Sequence, residues 1–528
     1  MSIDLSSGEE MFSADKMMKD YLKPGSPMDV FSREISPLFR DNDFKGMYSE
    51  KGRKGISPAL LAMVTLLQFR ESLSDVEAQA ACNLRIDWKI ALRKPLEERV
   101  DFDPSTLCYF RKRLKENDAM SLILDKTIQL AKEKGFIKKK TNQRIDATHI
   151  VAHVNRISTT DLLFRTVKCV VEEMEKRSPV LYAREVPEDI KERYENDFSS
   201  FGLSKEKRAD RQAEIVEDGL FLKRLWERLP AEERADYAQM AIMDTIFEEN
   251  IIIRKKEVGD KEFIEVTEIE TPKQSIFNPR DPEVKLGIKG RKSWVGSKCH
   301  VVETAETEGT NIITDMIYQR ATENDNKILD RQEENNGRLG IEGDKLYCDS
   351  NYLSGEKMAD FEAKGKKLMG YFQADGSSKP DGFKASDFKI DVPGKRAICP
   401  ARHETTDFTV RGDGKMRIRF DARQCGGCEY FSLCVGEKRK SREIAISEYY
   451  EYVQRRRDEQ KSDAFKQEMK IRARVEGTIS EAVRFHGLRH KKYKGALGDK
   501  LQFFLTGAAI NLKRILKAMK GMQNPVPE

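Results

Sequence analysis

Three acidic residues lie in apolar surroundings at widely separated points of the chain. Asp146 interrupts an apolar, β-prone run over residues 145–154, and Asp349 follows a second strand-like run over residues 345–348. An unpaired charge is costly to bury, so such acids need a cation beside them. Mg²⁺ and Mn²⁺ prefer carboxylate oxygens, and two such ions about 3.5–4 Å apart serve phosphodiester displacement. The pattern predicts a two-metal site if the fold brings the acids together.

The third acid, Glu476, lies in a proline-free segment that predicts one long helix over residues 452–486. Steps of three and four residues place Glu476 on a face that should point towards the sheet and away from water. The other members of this stripe are Phe465, Met469, Arg472, Ile479 and Val483. Structural explanations stay open for each acid: a strand end or a turn for Asp146, a helix N-cap for Asp349, and an ion pair with Arg472 for Glu476.

Four of the nine cysteines form a cluster with the spacing C-x25-C-x2-C-x5-C, at Cys399, Cys425, Cys428 and Cys434. Tetrahedral zinc takes four thiolates, and a C-x2-C pair wraps one side of the ion. Gly426 and Gly427 favour the tight turn inside that pair. The spacing predicts a structural Zn²⁺ site, with His403 as an alternative ligand. A redox pair at Cys425 and Cys428 is the competing interpretation.

Charge and hydropathy restrict the class of protein. The 528 residues include 95 basic and 89 acidic side chains, with a formal net charge of +6 and a mean hydropathy of −0.64. No apolar run approaches the roughly 18–20 residues that span a bilayer, and the N-terminus does not look like a secretory signal. We therefore predict a cytoplasmic protein. Ten basic residues against two acids over residues 481–520 favour a polyanionic partner, unless this is a solvated helix face.

The N-terminal part of the chain predicts short helices. Ser57-Pro58 supplies an N-cap and a proline at the first helical position, Ser74 and Glu77 form a capping box, and Asp103-Pro104 precedes a third helix. That helix carries three basic residues, Arg111, Lys112 and Arg113. Short helices with a basic last member are typical of helix-turn-helix DNA-binding domains. Tri-helical packing without DNA contact fits the same pattern.

The remainder of the chain mixes strand and helix signals and predicts the α/β class. Residues 293–302 and 311–318 predict a hairpin around Gly309, followed by a helix from residue 325 and the strand that ends at Asp349. Between residues 159 and 275 the chain is charged, helical and poor in glycine. This segment predicts a helical insertion that carries no recognisable chemistry.

These blocks together resemble the DDE insertion-sequence transposases. The runs Arg144–His149, Asp349–Tyr352 and Arg472–Glu476 are similar to the three catalytic blocks of that family. Residues 52–114 are similar to its helical N-terminal domain and residues 507–514 to its C-terminal end, and one branch carries a similar cysteine set. Related proteins often have Tyr and Lys where this chain has Met469 and Val483, with Arg484 next to the latter.

The resemblance implies a ribonuclease-H-like mixed sheet flanked by helices. Asp146, Asp349 and Glu476 would then hold two Mg²⁺ or Mn²⁺ ions, and Arg472 would orient Glu476 or contact a phosphate. The implied partners are double-stranded DNA, both transposon terminal inverted repeats and target DNA, and a second copy of the chain in a homodimer at the nucleoid. Besides Arg111, Lys112 and Arg113, phosphate contacts are expected from Arg484, Arg489, Lys491, Lys492 and Lys494.

The predicted activity is metal-dependent DNA cleavage followed by strand transfer. A nuclease that cuts without joining and a non-catalytic zinc DNA-binding protein are the alternatives. The predicted organisation is an N-terminal segment 1–50, a helical DNA-binding domain 51–137, a core from 138–158 and 276–394, a helical insertion 159–275, a zinc-binding insert 395–440, C-terminal helices 441–520 that complete the core, and a tail 521–528.

Overall fold

The computed structural model describes residues 23–49, 51–52, 55–152, 157–258, 261–270, 275–289, 292–376, 381–412, 415–435 and 439–523. The first 22 residues, and the predicted tail beyond residue 523, lie outside this described part. The chain is a mixed α/β protein, as predicted. Among the described helices, none is long and apolar enough to cross a membrane.

The helices begin where the sequence supplies caps. Ser57 Oγ accepts the Leu60 N–H at 3.2 Å, and Ser74 and Glu77 form the predicted capping box. The helices are α1 Pro27–Val30, α2 Pro58–Glu71, α3 Asp75–Leu84, α4 Ile86–Ala91, α5 Ser105–Glu116, α6 Leu122–Glu133, α7 Thr159–Arg177, α8 Pro179–Glu185, α9 Glu188–Glu195, α10 Lys205–Glu227, α11 Ala231–Arg234, α12 Ala238–Asn250, α13 Ile328–Leu339, α14 Gly355–Ala363, α15 Ala422–Gly426, α16 Phe431–Cys434, α17 Tyr450–Glu459, α18 Asp463–Glu468, α19 Lys470–Phe485 and α20 Gly495–Gln523.

One mixed sheet forms the centre of the molecule. The strands are β1 Lys140–Val151, β2 Ile251–Val258, β3 Lys261–Glu268, β4 Lys285–Lys289, β5 Lys292–Thr304, β6 Ile313–Arg320, β7 Glu342–Tyr347, β8 Lys367–Met369, β9 Lys389–Asp391, β10 Arg396–Ile398, β11 Glu404–Thr405, β12 Phe408–Val410, β13 Met416–Arg419 and β14 Glu443–Ile446. The central sheet has the order β6–β5–β1–β7–β8, and β4 also pairs with β5. β5 is antiparallel to β1 and β6, whereas β7 is parallel to β1 and to β8. The predicted hairpin is confirmed as β5–β6.

The helical insertion has an apolar core of its own. Helices α7 to α12 bury residues such as Leu163, Val170 and Met243 against one another. The predicted helices are present between residues 159 and 250. The prediction missed the antiparallel hairpin β2–β3, which follows α12 directly. Its strands were overlooked because charged residues interrupt the alternation that marks a half-buried strand.

Residues 452–486 do not form the one long helix that the sequence predicts. α17 ends at Glu459, and the backbone at Ser462 is extended, with φ −71° and ψ 145°. Ser462 Oγ accepts the Phe465 N–H at 3.3 Å and so begins α18, and α19 begins at Lys470. Serine is a favoured N-cap because its hydroxyl replaces a missing helical acceptor. The break changes which face of α19 meets the sheet.

The last helix, α20, packs on the sheet at β6. Asn511 Oδ1 accepts the Ile313 N–H, and Asn511 Nδ2 donates to the Ile313 carbonyl, both at 2.8 Å. At Gly507 a Cβ atom would lie 2.9 Å from Met316 Sδ, so glycine permits the close approach of helix and strand. The segment 507–514 therefore anchors α20 to the sheet.

Candidate active site

Asp146 lies within β1, the strand at the centre of the sheet. Its side chain is 20% exposed. Oδ1 accepts the Ala147 N–H at 2.7 Å, and Oδ2 accepts from Arg472 Nη1 at 3.2 Å. β5 and β7 pair with β1 on its two sides; Asp146 itself pairs with Val301 of β5, and the ladder with β7 ends at Arg144. The predicted strand is confirmed, and a turn at this position is excluded.

Asp349 follows β7, the parallel neighbour of the strand that carries Asp146. The last pair in the β1–β7 register is Arg144 with Tyr347, and Asp146 and Asp349 each come two residues later in the chain. Residues two apart share a face of a strand. The backbone at Asp349 is still extended, with φ −77° and ψ 164°. Extended backbone in both segments would bring the two aspartates to the same face of neighbouring strands, which lie about 4.8 Å apart.

A buried aromatic pair supports the segment after Asp349. Asp349 Oδ1 accepts the Ser350 N–H at 2.7 Å and caps a single 3₁₀ turn, which is the N-cap role that the sequence also allowed. The Tyr352 hydroxyl lies 2.6 Å from His300 Nδ1, and His300 Nε2 lies 2.9 Å from Gln319 Oε1. Burial lowers the pKa of His300 to about 4, so its ring is neutral at pH 7.

Glu476 lies on the exposed side of α19, contrary to the prediction that it points into the sheet. Its side chain is 62% exposed. The buried positions of this helix are instead Val475, Thr478 and Ala482. The predicted stripe was carried from Phe465 across a break between two helices, and helical periodicity holds only within one helix.

Arg472 connects α19 to β1. Its Nη2 donates to Glu476 Oε1 and its Nη1 donates to Asp146 Oδ2, each at 3.2 Å. The predicted pair of Arg472 with Glu476 is confirmed and extends to Asp146. Because the guanidinium is planar and rigid, it holds the two acids on neighbouring arms. The structure thus connects Asp146 and Glu476 through one guanidinium.

The three acids do not form a finished metal site. Within the described residues, no three His, Cys, Asp or Glu side chains lie together as a group that could hold a metal ion. Arg472 lies between Asp146 and Glu476, so its guanidinium must release one of them before both can bind one ion. The donor chemistry itself fits, because carboxylate oxygens suit Mg²⁺ and Mn²⁺. A released Arg472 could bind a phosphate.

Sequence reasoning missed a fourth acid, Glu303 of β5, which pairs with Arg144 two residues before Asp146. Its side chain is fully buried, and it stands opposite Arg144 in the β1–β5 ladder. The signal was present, because Glu303 directly follows Val301 and Val302 in an apolar strand. This is the same pattern that identified Asp146.

The four clustered cysteines line one cavity of about 20 Å³ together with His403. The Cys428 N–H donates to the Cys425 carbonyl at 3.1 Å and closes the turn between them. Neither Gly426 nor Gly427 has a positive φ, so the turn does not need glycine, contrary to the prediction. All four residues are free thiols. Burial raises the pKa of Cys434, and the neighbouring cysteines raise it further.

This thiol cavity fits zinc in its donors. Four sulfurs suit a closed tetrahedral site, but zinc–sulfur bonds are only about 2.3 Å long. The thiols would have to move closer together, since the described residues contain no assembled metal-holding group. A divalent cation would also offset the burial that disfavours the Cys434 thiolate.

The prediction that Arg111 and Lys491 contact DNA is withdrawn, because the structure buries both side chains. Arg111 pairs with Asp75 at 2.6 Å. Lys491 pairs with Asp281 at 2.5 Å and Asp499 at 3.3 Å. Their charges are neutralised inside the protein and do not face a phosphate.

The other basic candidates are more accessible. Lys112, Arg484, Lys492 and Lys494 are exposed. Arg113 is half-buried and lies over the Tyr48 ring at 4.8 Å. Arg489 is half-buried as well, and its Nη1 donates to the His149 carbonyl at 2.7 Å. Four of the cations predicted to contact DNA are thus accessible to solvent.

Two family models match parts of the chain. The model described as "Transposase domain (DUF772)" matches residues 17–113, and the model described as "Transposase DDE domain" matches residues 398–516. The two matches support a DDE insertion-sequence transposase. The second match contains the cysteine cluster, Arg472 and Glu476, whereas Asp146 and Asp349 lie between the two matched segments. Comparison with curated proteins and with solved structures gives no match.

Proposed function

We propose that the protein cleaves DNA at transposon ends and joins the freed 3′-hydroxyl to a target. The observation that carries this proposal is the connection of Asp146 to Glu476 through Arg472, on a strand that pairs in parallel with the strand preceding Asp349. We further propose that the core is ribonuclease-H-like. This is supported by the order β6–β5–β1–β7–β8, with three antiparallel strands followed by two parallel ones.

Each acid has a distinct part in the proposed site. Asp146, Asp349 and Glu476 would hold two Mg²⁺ or Mn²⁺ ions, which activate a water or 3′-hydroxyl and stabilise the leaving oxygen. Asp146 lies within β1, and Asp349 follows the end of β7. Glu476 approaches from an exposed helix, where DNA can reach it. Arg472 would release one acid and donate two parallel hydrogen bonds to a phosphate.

The exposed basic residues supply the proposed contacts to double-stranded DNA, both terminal inverted repeats and target. Lys112, Arg484, Lys492 and Lys494 would neutralise backbone phosphates, which gives salt-sensitive and sequence-independent affinity. A homodimer would handle two ends together at the nucleoid. One structural Zn²⁺ would join the four clustered thiols and hold the insert in shape.

The acids can be tested with DNA that flanks the protein's own coding sequence. Asp146→Asn, Asp349→Asn and Glu476→Gln should each lower Mg²⁺-dependent cleavage by about a thousandfold or more, because each removes a metal ligand worth several kcal/mol. DNA binding, measured by gel shift, should stay within about twofold.

Asp344→Asn is the matched control. Asp344 also lies on β7, but it pairs with Lys140 at 3.1 Å away from the site. Cleavage by this variant should equal that of the wild type. Pre-cleaved ends then separate transposition from simple cutting, since a nuclease would yield no joined product. Wild-type cleavage by any of the three acid variants would contradict the proposed site.

A further inference from the structure

Glu303 connects the sheet to two C-terminal helices. Its side chain is 0% exposed. Oε1 accepts from Arg144 Nε at 2.7 Å, while Oε2 accepts from Thr478 Oγ1 at 2.8 Å and from Arg514 Nη1 at 2.7 Å. A buried acid is tolerated only when it is paired and hydrogen-bonded. These three donors, from β1, α19 and α20, satisfy both carboxylate oxygens.

The same donors hold α19 on both sides of Glu476. Arg144 Nη1 donates to the Ile471 carbonyl at 3.1 Å, at the first turn of the helix. Thr478 lies two residues beyond Glu476, and its hydroxyl also accepts from Arg514 Nη2 at 2.6 Å. The helix is therefore fixed before and after Glu476, although Glu476 itself remains exposed.

Strand alternation relates this connection to Asp146. Arg144 and Asp146 are two residues apart on β1 and share a face. Both contact the start of α19, Arg144 at the Ile471 carbonyl and Asp146 at Arg472. The opposite face of β1 carries Gln143, whose buried amide bonds to residues of β6 and α13. The network around Glu303 thus lies on the site's face of the sheet without belonging to the site.

We propose that Glu303 is a positioning residue, which with Arg144 and Arg514 fixes α19 so that Glu476 faces Asp146. The inference rests on the proposed function, because it assigns Glu303 to support the same divalent-cation site. Glu303 is buried and reaches Glu476 only through Thr478 and the helix backbone. Its effect should therefore fall on cation affinity and leave DNA binding unchanged.

Full-length variants test the proposal with Mn²⁺ as the probe. Glu303→Ala should raise the Mn²⁺ concentration for half-maximal cleavage by about 10–100-fold, as is common for groups that support metal ligands. Thr478→Val keeps the shape of the side chain and removes its hydroxyl, so it should act in the same direction by a smaller factor. Thr478→Ser restores the hydroxyl and should restore the wild-type requirement.

Gln143→Ala is the matched control, because it removes a buried polar side chain from the same strand on the opposite face. It should lower the melting temperature and leave the Mn²⁺ requirement unchanged. Two readouts besides activity accompany the series: Mn²⁺ binding by electron paramagnetic resonance, and amide hydrogen exchange of residues 472–480 without metal. Exchange there should accelerate in Glu303→Ala and stay at the wild-type rate in Gln143→Ala.

The outcomes separate the inference from the proposed function. Faster amide exchange in α19 of Glu303→Ala, combined with an unchanged Mn²⁺ requirement, would overturn the positioning role of Glu303. Its role would then be structural only. Unchanged exchange in both Glu303→Ala and Thr478→Val would overturn the connection itself. If wild-type cleavage does not respond to divalent cations, the proposed function fails, and the exchange data still decide whether Glu303 holds α19.

Discussion

The central sheet and the cysteine-bearing insert hold their polar groups in different ways. Beside the sheet, buried polar side chains pair with one another: Glu303 meets Arg144, and His300 meets Tyr352. In the insert, four thiols face one small cavity whose remaining wall is largely apolar. The named polar groups of the sheet are therefore paired with one another, whereas the thiols face one another across a cavity that His403, Gln424 and Arg442 also line.

This difference gives the two proposed metals opposite tasks. At the acids, an ion would enter a scaffold that is already fixed, and its contribution would be chemical. At the thiols, an ion would supply the connection that the insert lacks, and its contribution would be to folding. The two regions should therefore respond differently to metal removal and to loss of a single buried partner.

The largest effect is expected from the double change Cys425→Ser and Cys428→Ser. It should abolish binding of one Zn²⁺ per chain and unfold residues 395–440 locally, because structural zinc contributes about 10–16 kcal/mol of apparent binding energy in small zinc domains. Hydrogen exchange should accelerate in β10 and β13 and stay slow in β1 and β5. Metal analysis of the purified protein checks the zinc content.

Cys108→Ser is the control for this prediction, because Cys108 is an exposed thiol outside the cluster. It should leave both zinc content and exchange unchanged. A double variant that keeps wild-type exchange rates in the insert would show that the thiols do not hold it together. The contrast between the two regions would then disappear.

A smaller effect is expected from Lys491, a buried partner near the end of β1. Lys491→Ala would leave Asp281 and Asp499 buried without their cation, which should lower the free energy of unfolding by about 3–5 kcal/mol. Chemical denaturation measures that loss. The salt dependence of DNA binding should not change, since Lys491 is 4% exposed.

Its neighbour Lys492 provides the matched control. Lys492 is exposed and lies over the Phe69 ring. Lys492→Ala should leave the free energy of unfolding nearly unchanged and reduce the salt slope of DNA binding by about one. If Lys491→Ala changed the salt slope and Lys492→Ala did not, Lys491 would belong to the proposed DNA interface.

Local features of the fold were predictable from the sequence. The caps at Ser57 and Ser74, the strand around Asp146 and the β5–β6 hairpin depend on neighbouring residues, and the structure has each of them. The association of Asp146 with Glu476 rested on the family resemblance. Parallel pairing of β1 with β7 could not be derived from either strand alone, because it depends on contacts distant in sequence.

The predictions that failed were those that depended on tertiary partners or on a helix break. Arg111 looks like a surface cation until Asp75 is placed beside it, and the same holds for Lys491 and its two aspartates. The orientation of Glu476 depended on the cap at Ser462, a single serine in a polar, helix-favouring stretch. Tertiary packing overrides such weak local preferences.

The smallest effect concerns pH and the neutral His300 in the sheet. Its pKa is about 6.5 when unfolded and about 4 in the fold, chiefly through burial. Between these two pKa values the unfolded chain takes up a proton and the folded chain does not. The contribution of His300 to the free energy of unfolding is therefore fully present above pH 6.5 and is lost as the pH falls towards 4, by roughly 3 kcal/mol at most. His300→Gln can keep a hydrogen bond but cannot take up a proton. In urea unfolding, the free energy of unfolding of the variant should fall less steeply than that of the wild type over this pH range.

Two buried acids, Asp315 and Asp499, change the free energy of unfolding with pH in the opposite direction, so their effect must be separated from that of His300. Burial raises the pKa of Asp315 and of Asp499 to about 6, so each contributes stability below pH 3.8 that is lost as pH rises through 6. Both acids are present in the wild type and in His300→Gln, so the difference between the two unfolding curves isolates His300. Asp325 and Lys298 face the ring with opposing charges. If the free energies of unfolding of the wild type and of His300→Gln fell in parallel from pH 7 to 4.5, the His300 ring would not be held neutral. The His300–Tyr352 pair would then not count among the internal pairs that distinguish the sheet from the insert.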